Sequence, residues 1–318
     1  MHPRVILAAV LASLVVGGTV VVSALLAGGP SRGALTTPNR SADPQPAAAA
    51  ADPVRSPAPG DAEEPTEDVT VEIEGFLTWA MLDRSTGTTL SSPNATETSS
   101  TESMIKVWIV ADHLRRVAEA GDQPGDRDLR DARLAIRDSH NAAAQRLYVA
   151  GGQDAVVERM IDVCQLVETH IPDGGSGWWS RTQMSAVDAV RLGGCVADGT
   201  AAGPEWTDWL LAEMRTVRGS TADVDQRPGE NFEGGRWGII DGLPEATVSK
   251  GVAIKNGWTR IGATSSWHVN CLAITDEWVM AVMMRYPVEY SLDYGAQRCA
   301  SVATQLTDDQ PAPPMAPQ

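Results

Sequence analysis

Strand-like text stands on both sides of a long helical block, and that order leaves the chain few ways to fold. Residues 69–90, VTVEIEGFLTWAMLDRSTGTTL, alternate apolar and polar positions around Asp83-Arg84-Ser85-Thr86-Gly87, the pattern of a β-hairpin. From about Ser103 to Arg218 the period becomes helical, in MIKVWIVADHLRRVAEA, DLRDARLAIRD, NAAAQRLYVA, QDAVVERMIDVC, MSAVDAVRLGGCVADG and PEWTDWLLAEMRTVR. Gly and Pro clusters punctuate their ends. A Gly-rich polar connection follows, and then strand patterns return in TVSKGVAIKNG, SWHVNCLAIT and EWVMAVMMRY. An amphipathic helix, LDYGAQRCASVATQL, closes the series. A sheet whose chain leaves into helices and comes back predicts an α/β (α+β) fold. Its antiparallel sheet is flanked by terminal helices, with an inserted all-α subdomain at about residues 100–218. A site at the junction would draw on both parts.

The remaining segments bound the folded part. Residues Val5 to Ala27 carry no charge and are long enough to span a bilayer, with Arg4 before them. The reading for 1–28 is an uncleaved signal anchor, a transmembrane helix, or else a cleaved signal peptide. No cysteine follows the run, which argues against a lipoprotein. The domain is then expected on the outer face of the cell membrane, single-pass, or secreted. Residues 29–68 are rich in Pro, Ala and acid and read as a disordered linker, and 308–318 as a disordered tail. Residues 69–307 make the folded domain. A formal net charge of −16 without a Lys/Arg run excludes nucleic acid and an anionic membrane surface as partners, leaving the amino-terminal helix as the membrane contact. The sequence leaves the oligomeric state open. Four cysteines in an extracytoplasmic chain suggest two disulfides, and nearness along the chain favours Cys164–Cys195 and Cys271–Cys299. Five scattered histidines form no metal-ligand cluster, so neither metal nor cofactor is implied.

Only three lysines occur, Lys106, Lys250 and Lys255; every other basic side chain is Arg. Lysine differs from arginine in being able to lose its proton when desolvated. Lys106 lies in MIKVWIV, apolar all round and so a candidate buried helix, one turn after Ser103. Burial disfavours the charged ammonium, which suits Lys106 to take a proton from a neighbouring hydroxyl. Taken singly, each motif also has a structural reading. Ser103 would cap a helix and Lys106 pair with an acid. Ser139-His140-Asn141 would be an N-cap segment, and Lys255-Asn256-Gly257 a strand end with a turn.

In this order, SMIK, SHN and KNG resemble the S-x-x-K, S-x-N and K-[TS]-G set of the serine β-lactamases and penicillin-binding proteins. SHNAAAQRLYVAGG and SRTQMSAVDAVRL are similar to class A β-lactamase text, and the resemblance runs from about Val71 to Leu306. It implies a β-lactamase/transpeptidase-like fold and a cell-envelope serine hydrolase, its substrate a β-lactam or a D-alanyl peptide of the wall. Ser103 would be acylated, with Lys106 its base or proton relay. Ser139 would pass the proton to the leaving nitrogen, and Asn141 would bind the substrate amide. Lys255 would hold Ser139 and a substrate carboxylate. Asn256 and Gly257 would line the substrate, and the backbone N–H groups of Ser103 and Trp258 would form the oxyanion hole.

The chain departs from the class A pattern in two places. No E-x-x-L-N motif occurs between Met160 and Met184, leaving Glu168 as a weak candidate for the deacylating base, so hydrolysis of an acyl-enzyme is expected to be slow. Asn256 replaces the Thr or Ser of K-[TS]-G, its amide still able to donate to a carboxylate. Arg260 is a further candidate for carboxylate binding. The competing reading is a catalytically degenerate protein of this fold that binds a peptidoglycan fragment or a partner. A Ser-His-Asp hydrolase is disfavoured because no G-x-S-x-G occurs.

Overall fold

The computed structural model describes residues 69–222 and 234–308. The segments expected at 1–28 and 29–68, and the tail beyond 308, lie outside the described residues. The sheet is antiparallel, in the order β2 (Thr89–Ser91), β1 (Phe76–Asp83), β8 (Trp278–Pro287), β7 (Ser266–Ile274). Along the other side of β7 run β5 (Ala253–Ile254) and β6 (Gly257–Ile261), which share one register: Ile254 faces Ala273 and Gly257 faces Asn270. They form one edge strand interrupted at Lys255-Asn256. A separate pair, β3 (Thr98–Ser100) and β4 (Gln183–Ser185), joins the segment that leads into the helical block to the segment just before its fifth helix.

Helices α1 (Lys106–Glu119), α2 (Asp126–Arg137), α3 (Asn141–Ala150), α4 (Asp154–Cys164), α5 (Ala186–Ala197) and α6 (Thr207–Arg215) fill the expected block. Helix α8 (Leu292–Asp308) closes the described chain. β7 and β8 read as near-continuous apolar runs because both their faces are covered. Cys271 is bonded to Cys299 of α8, while a side chain added at Gly193 of α5 would meet Leu272 at 3.3 Å. Successive strand residues point to opposite faces, so α8 covers one face of the sheet and α5 with its block the other. The second expected disulfide, Cys164–Cys195, ties α4 to α5.

Two strand expectations shift. Residues 69–75 alternate as a strand would but are not paired. Val69, Val71 and Ile73 pack on the core, and Thr70 exchanges hydrogen bonds with Gln305 of α8 through Gln305 Oε1 and Nε2. In TVSKGVAIKNG, residues Glu245–Lys250 form a short helix, α7, which ends at Gly251 with φ 94°. Gly251 adopts a conformation that side chains resist, and it stops the helix so that β5 can begin two residues later.

Candidate active site

Ser103 lies in a 3-10 helix, Glu102–Ile105, that runs into α1 at Lys106. Three residues per turn eclipses positions i and i+3, so Ser103 and Lys106 share one line of the element. Every residue from Lys106 to Leu114 is buried, and Lys106 is 0% exposed. A buried ammonium is tolerated only with acceptors around it. Lys106 Nζ donates to Ser139 O, to Ser139 Oγ at 3.2 Å and to Asn141 Oδ1 at 2.7 Å. These bonds tie Lys106 to the second motif.

Ser139 and Asn141 reach Lys106 because the turn between α2 and α3 is bent for it. Ser139 has φ 53°, the left-handed region, and is 1% exposed. Strain of this kind persists where the surroundings hold it. Here Asp138 accepts from Arg218 Nε at 2.8 Å, and Arg218 N donates to Arg137 O at 3.0 Å. His140 caps α3, its Nδ1 accepting from Ala143 N at 3.1 Å, which releases Asn141 to point at Lys106. The cap expected of Ser or Asn is therefore supplied by the histidine between them.

Lys255, 1% exposed, enters from the sheet and donates to Ser139 Oγ at 2.9 Å and to Asn256 O at 2.9 Å. Two lysines thus donate to one hydroxyl, filling its two acceptor positions and leaving its hydrogen to be given. The backbone of the edge strand is oriented by its register. Lys255 N donates to Leu272 O at 3.0 Å, so Lys255 and Gly257 turn their N–H groups toward β7. Trp258, in a non-hydrogen-bonded pair, turns its N–H to the open side. A Cβ at Gly257 would stand 2.6 Å from both Ser103 N and Met104 N, so the bare backbone there is what lets β6 approach the Ser103 turn. The two donors expected of an oxyanion hole, Ser103 N and Trp258 N, belong to these two adjoining segments.

Three candidates are placed differently from what their proposed roles require. Asn256 faces the α8 side, and its amide donates to Gly235 O at 2.9 Å and Trp237 O at 2.7 Å, so both hydrogens are committed to the backbone instead of a substrate carboxylate. Arg260 sits on the same face and lies over Trp267, 4.5 Å from the ring centroid. Glu168 is exposed, and its N–H donates to Asp188 Oδ2 at 2.8 Å. The side chain that the 166–182 loop brings over Lys106 is Trp179, its ring centroid 5.1 Å from Nζ and its Nε1 donating to Gln145 at 2.9 Å.

Sequence reasoning missed a second polar group beside Ser103. Glu102, φ 47° and 7% exposed, accepts from Ser100 Oγ at 2.7 Å, and Ser100 Oγ lies 2.6 Å from His268 Nδ1. Desolvation pushes the Glu102 carboxyl up to about 7, against the opposing pull of the Ser100 hydrogen bond, Lys106 and Arg181. Burial, with Arg285 nearby, pushes His268 down to about 4. Glu102 is visible in the sequence as an acid directly before S-x-x-K; its partners on β3 and β7 carry no local signal.

This sheet, the inserted helices and the converging Ser-Lys, Ser-Asn and Lys-Gly segments constitute the serine β-lactamase and penicillin-binding protein fold. Among solved structures, that of PBP-A superimposes with a TM-score of 0.57 at 16% identity, over 78% of this chain and 97% of that one. The class A β-lactamase of Mycobacterium abscessus gives 0.54 at 17% identity, over 74% and 93%. A β-lactamase of Xanthomonas campestris gives 0.55 at 14% identity, over 74% and 91%. By sequence the chain is 28% identical over 245 residues to "Putative lipoprotein LppW" of Mycobacterium tuberculosis and of Mycobacterium bovis, covering 74% of this chain and 73% of each relative. No protein-family model matches. The relatives correct one expectation. A signal anchor spanning the membrane, with lipoprotein character excluded, is withdrawn, since they are named as lipoproteins. Among the described residues no helix is long and apolar enough to cross a membrane; the run Val5–Ala27 lies outside them.

Proposed function

We propose that the protein is an envelope serine acyl-enzyme of the penicillin-binding type. It forms an ester at Ser103 with a β-lactam or a D-alanyl wall peptide and releases it slowly. The observation that carries this reading is the convergence on Ser139 of Lys106 and Lys255, from separate elements, next to a 3-10 turn that presents Ser103. A purely structural role for two buried lysines sharing one strained serine would be costly, because apolar replacements would fill the same space without desolvating charge. In the step itself Lys106 acts as the neutral amine: the Ser103 hydroxyl attacks the carbonyl carbon and gives its proton to Lys106 Nζ, which hands one to Ser139 as the carbon–nitrogen bond breaks. Ser139 returns a proton to the leaving nitrogen, and the oxyanion is met by the N–H groups of Ser103 and Trp258. Slow release follows from Trp179: an indole over Lys106 offers no base to a deacylating water. The name borne by the relatives supports attachment at the envelope.

The committed amide of Asn256 favours a second reading, a degenerate member of the fold that binds a wall fragment without turnover. Intact-mass spectrometry after incubation with a penicillin decides between them. Under the first reading a stable adduct forms and is lost in both Ser103→Ala and Lys106→Ala. No adduct and no loss of penicillin favours the second. Loss of penicillin without an accumulating adduct would instead indicate efficient hydrolysis and overturn the slow-release assignment.

A further inference from the structure

The proton chain Glu102–Ser100–His268 lies outside the reaction just described, yet its first member is covalently joined to the nucleophile. Resting on the acylation reading, we propose that Glu102 is a positioning residue that sets the pH range in which Ser103 can be acylated. In its neutral form it braces the Ser103 turn, and as a carboxylate it opposes the oxyanion.

The geometry makes Glu102 a brace. Its φ of 47° is a conformation few non-glycine residues adopt, so the turn needs something to hold it. Ser100 ties the carboxyl to His268 on β7, and Asn270 on the same face of β7 donates from Nδ2 to Ser100 O at 2.8 Å. Asn270 is also the partner of Gly257, whose backbone abuts the Ser103 N–H. The Glu102 side chain is thus linked through β3 and β7 to the strand that bears the other proposed oxyanion donor.

The hydrogen bonds run in one of two directions. With Glu102 neutral, its hydroxyl donates to Ser100, and Ser100 donates to His268 Nδ1. With Glu102 ionised, Ser100 donates to the carboxylate, and His268 donates from Nδ1. The ionised form places a negative charge in a buried site one residue from the nucleophile. Charges facing this group are Lys106 on α1, Arg181 on the 166–182 loop and, across His268, Arg285 on β8. Arg260 on β6 lies on the other face of the strand. The cations limit the carboxylate's cost without removing it, since burial still raises the carboxyl overall. A negative charge developing on the substrate oxygen beside that carboxylate is repelled in a poorly screened environment.

The test is the acylation rate of the full chain by a fluorescent penicillin from pH 5.5 to 8.5, for wild type and Glu102→Gln. The amide keeps a donor toward Ser100 but cannot ionise. Taking the ratio of wild type to variant cancels pH effects common to both, including those at Lys106. With a midpoint near 7 the neutral fraction of Glu102 falls roughly tenfold between pH 6 and pH 8, and the ratio should fall with it. Ser100→Ala, which removes a hydrogen bond that favours the carboxylate, should move the falling limb to higher pH; a merely structural role would leave its position unchanged. A ratio constant with pH, or a limb that Ser100→Ala leaves in place, overturns this inference while acylation stands. Absence of any adduct at every pH overturns the acylation reading and this inference together.

Discussion

Single side chains decide how far this site resembles a working acyl-enzyme. Gly257 is the tightest constraint: a methyl group there would overlap the Ser103 and Met104 amides at 2.6 Å. Gly257→Ala should therefore lose acylation at least tenfold and cost about 1–3 kcal/mol in chemical denaturation, the usual range for overpacking. Asn256 illustrates the opposite lesson. Its position in K-[TS]-G suggests substrate binding, but its amide is held by the carbonyls of Gly235 and Trp237. Asn256→Ala strands two buried acceptors and should destabilise the protein by about 2–4 kcal/mol at roughly 1–2 kcal/mol each. Urea midpoints would check this. If stability is unchanged while acylation falls, Asn256 belongs to substrate recognition after all.

At the scale of elements, the loop between α4 and β4 is what separates this site from the class A pattern. It is fastened at its middle by Asp154, which accepts from Tyr148 Oη at 2.9 Å, from Gly177 N at 2.7 Å and from the Ser176 hydroxyl. These bonds hold the Asp154 carboxyl below the usual range, the Ser176 hydroxyl contributing most. Asp154→Ala should loosen the segment that seats Trp179 over Lys106. The expected readouts are faster amide exchange across residues 174–181 and slower acylation, with α1 protection unchanged. Much of this layer was legible in advance. The helical periods gave α1 to α6 within a few residues, because α2 to α6 bury one side against the core and the first half of α1 is buried all round. What escaped was non-local. β3 and β4 are three-residue strands lying far apart in sequence, and residues 69–75 carry a strand pattern although α8 takes the place of a partner strand. The site motifs were readable because their spacing is local; Trp179 and the Ser100–His268 contact depend on packing that no spacing records.

For the whole molecule, pH and oxidation state are the levers. Glu102 is raised on folding to about 7, so the folded protein binds this proton more tightly than the unfolded chain does. Its contribution is complete below about pH 4.5 and is lost as pH rises through about 7. His268 is lowered to about 4, and its neutral form is favoured by folding, so its contribution is lost as pH falls from about 6.5 toward 4. The two slopes oppose each other over most of that interval. Wild type should show a nearly level Tm where Glu102→Gln, relieved of the carboxyl, loses stability on acidification. A difference curve between the two proteins with no slope from pH 4.5 to 7 would contradict the assignment of Glu102. Reduction acts separately. Opening Cys164–Cys195, which closes a loop with a sequence separation of 31, should cost about 3–4 kcal/mol by chain entropy and lower Tm in a dithiothreitol titration.

The stitching of Thr70 to Gln305 makes the folded part topologically close to a ring. Its first and last described segments meet on one side, remote in sequence from the Ser103 turn. Joining residues 69 and 308 by a short Gly/Ser bridge and reopening the chain at the Gly87 turn, where nothing lies within 4 Å of an added Cβ, should give a circular permutant that folds and keeps its reactivity. Cargo could then be displayed from the sheet edge at β2 instead of from the original ends, with the Ser103 turn left undisturbed.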